Sequence, residues 1–226
     1  MIKKMNKSLL LAEKLGLEQN WLEDTLNLLP FVVNDIQCHA LLRYVALMQQ
    51  WNNHFNLTAI TDSRDMWIKH ILDSLSVLPH LQHQHLDGQV YLDVGTGAGL
   101  PGIPLAIMQP SWHWRLVDSN AKKIRFLQQV RLMLALPSVE VEHQRTEKLR
   151  RDDARVTVIC RAYAPPARIA EQVQPWIRAK ESICLLQGQA LAELIPPDGY
   201  ATQLYTELSV PYLDASRHLW VIIKTI

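Results

Sequence analysis

Glycine is scarce in this chain, eight residues in 226. Four of the eight fall between Gly95 and Gly102, inside the stretch YLDVGTGAGLPGIPLAI. Cysteine is scarcer still: Cys38, Cys160 and Cys184 are far apart and lack the short spacings of a metal site, so neither a disulfide framework nor a metal cluster is expected. Cys160 and Cys184 lie in apolar runs, where buried free thiols are the rule. Charge of one sign is not in excess; the formal net charge is +1 and the isoelectric point about 7.8. That balance excludes a protein held on nucleic acid by bulk charge, and leaves only a local patch for such contact. No apolar run reaches membrane-spanning length. The opening MIKKMNKSLLLAEKL breaks its apolar run at Glu13 and Lys14, so it lacks the core of a signal peptide. A cytoplasmic protein, acting as a monomer without a membrane or a metal, is the expectation. Repeats and low-complexity tracts are missing too.

Up to about Leu81 the chain reads as helices. NDIQCHALLRYVALMQQW carries Ile36, Leu41, Leu42, Val45, Met48 and Trp51 near helical spacing, with Asn34 or Asp35 as N-cap. NLTAITDSRDMWIKHILDSLSVL adds a turn and a second helix, capped by Asp65 and ending before Pro79. From Gln89 the texture changes. VYLDV, HWRLVD, VEVEH, VTVIC and SICLLQ read as five short buried strands. Between them GIPLAIMQP, AKKIRFLQQVRLMLAL and ARIAEQVQPWI read as helices. Strands alternating with helices predict a mostly parallel sheet covered on both faces. The last two β-rich runs, ATQLYTELSV and RHLWVIIKTI, lack a helix between them and predict an antiparallel edge pair. The expected architecture is a helical N-terminal cap, residues 1–85, on a doubly wound α/β unit, residues 86–226.

In such sheets a ligand binds beyond the carboxyl ends of the strands, at the turn after the first strand. A phosphate-cradling loop needs Gly-Lys-Ser/Thr, whereas Gly102 is followed by Ile103 and Pro104. A dinucleotide fingerprint fits Gly97, Gly99 and Gly102, but in a register that starts late after the strand. Asp93 argues for another ligand. A carboxylate at the strand end, beside Gly95 and Gly97, repels a pyrophosphate and suits ammonium and sulfonium groups, as in S-adenosylmethionine. Asp118 closes the second strand, where an acid can accept both ribose hydroxyls.

With those residues in place, DVGTGAGLPGIPLAI followed by LVDSNAKKIRFLQQV resembles the bacterial 16S rRNA guanine-N7 methyltransferase G family, also called the glucose-inhibited division protein B family. WNNHFNLTAITD, KHILDSL, QRTEKL, ICRAYA and RHLWVIIK extend the resemblance over most of the chain. It implies a class I methyltransferase (Rossmann-like) fold. The implied activity moves a methyl group from S-adenosylmethionine to N7 of guanosine 527 in 16S rRNA of the small ribosomal subunit. Carried over by position, the cofactor contacts fall on Gly95, Leu100, Thr146, Glu147 and Arg161; Asp93, Gly97 and Asp118 join them on the charge argument. The chain departs from the family pattern at Gln187-Gly188-Gln189, where Lys-Gly-Gln is usual. It departs again after Arg161, at Ala162-Tyr163-Ala164-Pro165-Pro166.

Guanine N7 carries a lone pair and no proton, so no general base is expected and positioning carries catalysis. Arg161 is the candidate for orienting cofactor or base, and Tyr163 for stacking on the base; a structural ion pair and a core tyrosine are the plainer alternatives. Lys122, Lys123 and Arg125, at the start of a helix, are candidates for RNA phosphates, with a solvated face as the alternative. For His70 a structural contact with Asp73 is expected ahead of a place in a substrate or cofactor-lid site, and His218 is read in the same way. A nicotinamide-dependent oxidoreductase and a non-catalytic RNA-binding protein of the same fold are the rival functions.

Overall fold

The computed structural model describes residues 2–85, 88–150, 154–161, 164–191 and 193–225. Three helices come first: α1 (Ile2–Lys14), α2 (Gln19–Asn27) and α3 (Asp35–Phe55). α3 begins where Asn34 accepts from the Ile36 and Gln37 N–H groups while the Gln37 side chain accepts from the Asn34 N–H, a reciprocal cap. Of the predicted stripe Leu41, Leu42, Val45 and Met48 are buried, Trp51 is half-buried and Ile36, in the first turn, faces solvent; Tyr44 joins the buried face. The next helix starts earlier than expected. Its cap is Asp62, whose side chain accepts from the Asp65 N–H, so α4 spans Ser63–Met66. It widens into a π-helical stretch, Trp67–Leu72, and resumes as α5 (Asp73–Leu75). Pro79 starts α6 (Leu78–Gln84) instead of only following a helix, because proline fits the first turn.

The α/β part runs β1 (Val90–Val94), α7 (Gly102–Met108), β2 (His113–Asp118), α8 (Ala121–Met133) and β3 (Val139–His143). It continues through a 3₁₀ turn (Thr146–Lys148), β4 (Val156–Arg161), α9 (Pro166–Val173) and β5 (Ser182–Gln187). It closes with β6 (Tyr200–Glu207) and β7 (His218–Lys224). α8 stops short of Pro137 because Ala135 takes a left-handed φ of 52°. The sheet order is β3-β2-β1-β4-β5-β7-β6. β1 to β5 are parallel, and β7 lies antiparallel between β5 and β6.

Alternation along the strands sorts side chains to two faces. Tyr91, Ile159, Cys184, Leu186 and Val221 pack with the N-terminal helices, α7 and α8. Leu92, Val158, Cys160, Ile183, Leu185 and Trp220 pack with α9 and with Trp176 and Ile177 behind it. Both faces are covered, which is why the strands read as unbroken apolar runs. Leu41, Tyr44, Trp67 and Ile71 belong to the same cluster as Tyr91 and Ile103, so the N-terminal helices complete the first face. No described helix is long and apolar enough to cross a membrane.

Candidate methyl-donor site

β1 carries Asp93 to the carboxyl edge of the sheet and buries it completely. The glycine loop folds around it: Oδ2 accepts from the Thr96 hydroxyl at 2.7 Å and from the Gly102 N–H at 2.8 Å. Gly95, Gly97 and Gly99 have φ of 66°, 62° and 96°, a region that side chains disfavour. A Cβ on Gly102 would collide with Asp93 and Leu116. From the other side the Tyr44 hydroxyl donates to the Ala98 carbonyl at 2.5 Å. Burial raises the Asp93 carboxyl to about 6, against the opposing bonds from Thr96 and Gly102 and the nearby Arg161 charge. Its Oδ1 has no hydrogen-bond partner among the described residues. The carboxylate thus occupies the start of α7, where a dinucleotide would seat its pyrophosphate, and the dinucleotide reading loses its anchor.

At the end of β2, Asp118 accepts from the Asn120 N–H at 2.8 Å through Oδ1. Oδ2 accepts from the Gly97 N–H at 3.0 Å and from Lys123 Nζ at 3.5 Å. Beside it opens a cleft of about 440 Å³ whose lining includes Gly95, Asp118, Lys123, Thr146, Glu147 and Arg168. Thr146 is buried, and Glu147 accepts from Gln172 Nε2 at 3.2 Å. A second cleft, about 160 Å³, is lined by Thr58, His70, Gly95, Gly97, Leu100 and Arg161, among others. Eight of the candidate residues are thereby gathered around one loop, with Asp93 beneath it.

Arg161 ends β4 and makes the ion pair of its plainer reading. It is ion-paired, Nη1 lying 2.8 Å from Asp73 Oδ2 and 2.9 Å from the Lys69 carbonyl, and it also walls the second cleft. The expected His70–Asp73 contact is replaced: the other Asp73 oxygen goes to Arg217 Nε at 2.7 Å. His70 instead meets the Thr58 hydroxyl at 2.8 Å through Nε2 and the Lys69 carbonyl at 3.1 Å through Nδ1. Burial, reinforced by Arg161, lowers its pKa to about 4, so it is neutral at pH 7. His218 is buried and stacked on Tyr205, centroids 5.4 Å apart. Lys122 and Arg125 are exposed on α8, whereas Lys123 turns inward to Asp118. Tyr163 lies outside the described residues. Sequence reasoning missed the roles of Tyr44 and Thr58 and the Asp73–Arg217 pair, although all four residues stood in stretches singled out beforehand.

The sheet order and the acid-anchored glycine loop define a class I S-adenosylmethionine-dependent methyltransferase. Solved structures of that fold superpose on the chain. A mutant of MtNAS in complex with S-adenosylmethionine gives a TM-score of 0.57 at 13% identity over 98% of both chains. Magnesium protoporphyrin IX methyltransferase from Synechocystis PCC 6803 gives 0.56 at 16% identity, over 80% of this chain and 97% of that one. The residues present fit the cofactor: the open cleft offers the Asp118 carboxylate to hydroxyl donors, and the start of α7 is closed to anions. Within that class the profile of the rRNA small subunit methyltransferase G family matches residues 37–220, and the chain belongs to this family. Ribosomal RNA small subunit methyltransferase G of Nitrosococcus oceani is 39% identical over 203 residues, 89% of this chain and 92% of that protein. Its namesake in Escherichia coli is 38% identical over 192 residues, 84% and 90% respectively.

Proposed function

We propose that this chain, in the cytoplasm, methylates N7 of guanosine 527 in 16S rRNA of the small ribosomal subunit. In this reading Gly95, Gly97, Leu100, Asp118, Thr146 and Glu147 hold S-adenosylmethionine. Asp93 holds the loop that presents them, and residues 1–85 cap the unit formed by residues 86–226. When bound, the cofactor supplies a sulfonium methyl group that the N7 lone pair takes, the carbon–sulfur electron pair staying on sulfur. The positive charge moves from donor to base and no proton changes hands.

The observation that carries N7 is the state of the groups beside the loop. His70 is neutral at pH 7, with Nδ1 3.1 Å from the Lys69 carbonyl and Nε2 2.8 Å from the Thr58 hydroxyl. Arg161 is a cation fixed by Asp73. Neither is free to take a proton, which suits an acceptor atom that has none to give. Arg161 aligns what lies against it. Incubating the protein and S-adenosylmethionine with small subunits or naked 16S rRNA, then mapping N7-methylguanosine, tests the reading. A single new N7-methylguanosine at position 527 is the expected result; a methyl group at another atom or position, or none, overturns it.

A further inference from the structure

A third cleft, of about 300 Å³, continues the first two. The first and second share Gly95, and the second and third share His70 and Arg161. The third is completed by Ile60, Leu186, Gln187, Gly188 and Arg217. The three therefore form one track over the strand ends, with His70 and Arg161 at the last junction.

Asp73 sits at that junction, 3% exposed, and gives one oxygen to each of two guanidinium groups. Arg161 closes β4 and Arg217 precedes β7, which lies two places along the sheet with β5 between them. A structural ion pair requires one arginine, and a buried pair is weak evidence for stability in any case. Here one carboxylate orients two forks against each other. Lys69 is matched separately by Asp65 at 2.9 Å, so the Asp73 cluster keeps an excess of one positive charge. Arg217 spends Nη1 on the Ser216 carbonyl and Arg161 spends Nη1 on Lys69; each guanidinium has five N–H donors and keeps others. Apolar walls with two fixed guanidinium planes match a flat ring bearing acceptors on one edge. Guanine presents O6 and N7 in that way, and unpaired RNA bases are commonly held against arginine planes.

We propose that the third cleft receives the target guanine base, with Arg217 a second base-contacting group beside Arg161 and Asp73 the positioning residue for both. The proposal rests on the methyltransferase reading above. It also accounts for a charge step: the N7-methylated base is cationic and faces a cluster of the same sign, which weakens the hold on product.

The test uses the full chain with small subunits and three variants, Arg217→Gln, Arg217→Lys and Asp73→Asn. Calorimetry gives the S-adenosylmethionine Kd, and turnover at varied subunit concentration separates KM from kcat. Arg217→Gln is expected to lower kcat/KM on subunits about 100-fold with the cofactor Kd within about twofold of wild type. Arg217→Lys is expected to recover part of the loss, because a point charge keeps attraction but not the fork. Asp73→Asn combined with Arg217→Gln is expected to be little worse than either alone, since the residues act as one unit. Wild-type turnover in Arg217→Gln and Asp73→Asn overturns the proposal, as does a loss matched by the cofactor Kd. Should Arg217→Gln fail to fold, Arg217→Lys decides: reduced turnover at unchanged cofactor Kd supports the pocket, and wild-type turnover sinks it. Failure of the wild-type protein to methylate subunits at all instead removes the underlying reading, and the pocket assignment with it.

Discussion

At the scale of single residues, two buried titratable groups pull stability in opposite directions with pH. His70 falls from an ordinary 6.5 to about 4 on folding. Between those values the unfolded chain holds a proton the folded one lacks, so its contribution is present above pH 6.5 and lost on acidification. Asp93 rises from 3.8 to about 6. In that window the folded chain holds the extra proton, so stability falls as pH rises through it. One proton of difference is worth about 1.4 kcal/mol per pH unit at most. Urea unfolding from pH 4 to 7 is expected to show His70→Gln losing the rise with pH and Asp93→Asn losing the fall. Parallel curves for wild type and both variants are the contrary result. Asp93 also shows what sequence could tell about a residue. Its place at the strand end and its repulsion of phosphate were legible in DVGTG, since both follow from local pattern and charge sign. That it would be wholly buried and bonded to Gly102 was not, because the loop's return path depends on contacts from Tyr44 and Leu116.

At the scale of elements, α3 is tied to the glycine loop through one hydroxyl. Tyr44→Phe keeps the ring beside Phe126 but leaves the buried Ala98 carbonyl unpaired, a cost of roughly 1–3 kcal/mol. Cofactor affinity is expected to fall about tenfold by calorimetry, with the fold retained; an unchanged Kd separates α3 from the site. α8 divides its charges. Lys122 and Arg125 face solvent, while Lys123 is engaged with Asp118 at the cleft beside β2. Lys122→Gln with Arg125→Gln is therefore expected to reduce the slope of log affinity for rRNA against log salt by about 1 to 2 and to leave the cofactor Kd alone. An unaltered slope assigns those side chains to a solvated face. The five parallel strands could be read from sequence because each is a short apolar run ended by a turn or an acid. The start of the α4 helix was harder: Asp62 and Asp65 are both plausible caps three residues apart, and only the hydrogen bond from the Asp65 N–H to Asp62 decides.

At the scale of the whole molecule, the doubly wound sheet with an antiparallel pair followed from the order of runs. The depth of union between helical segment and sheet did not. Spacing shows which face of α3 is apolar, not that Leu41 and Tyr44 will share a cluster with Tyr91 and Ile103. A fragment beginning at residue 88 is accordingly expected to lack cooperative unfolding by circular dichroism, because Tyr91, Ile103 and Phe126 would lose their cover; a sharp two-state transition would make the α/β part self-sufficient. The Asp73–Arg217 pair was beyond sequence for the same reason. Two residues 144 positions apart share no local pattern, and only the crossing of β7 beside β5 brings them to 2.7 Å.

That crossing bears on how the protein is made. β6 is translated before β7, yet among the described residues its strand partner is β7, and β7 is also what joins it to β5. Arg217 arrives on the same late segment. The junction with Asp73 therefore cannot close until the segment carrying Arg217 has been made and β7 has docked beside β5. A product that stops before β7 leaves the β5 edge unpaired and lacks the arginine that completes the cluster. The order of the strands thus makes synthesis through β7 a condition of an assembled Asp73 junction.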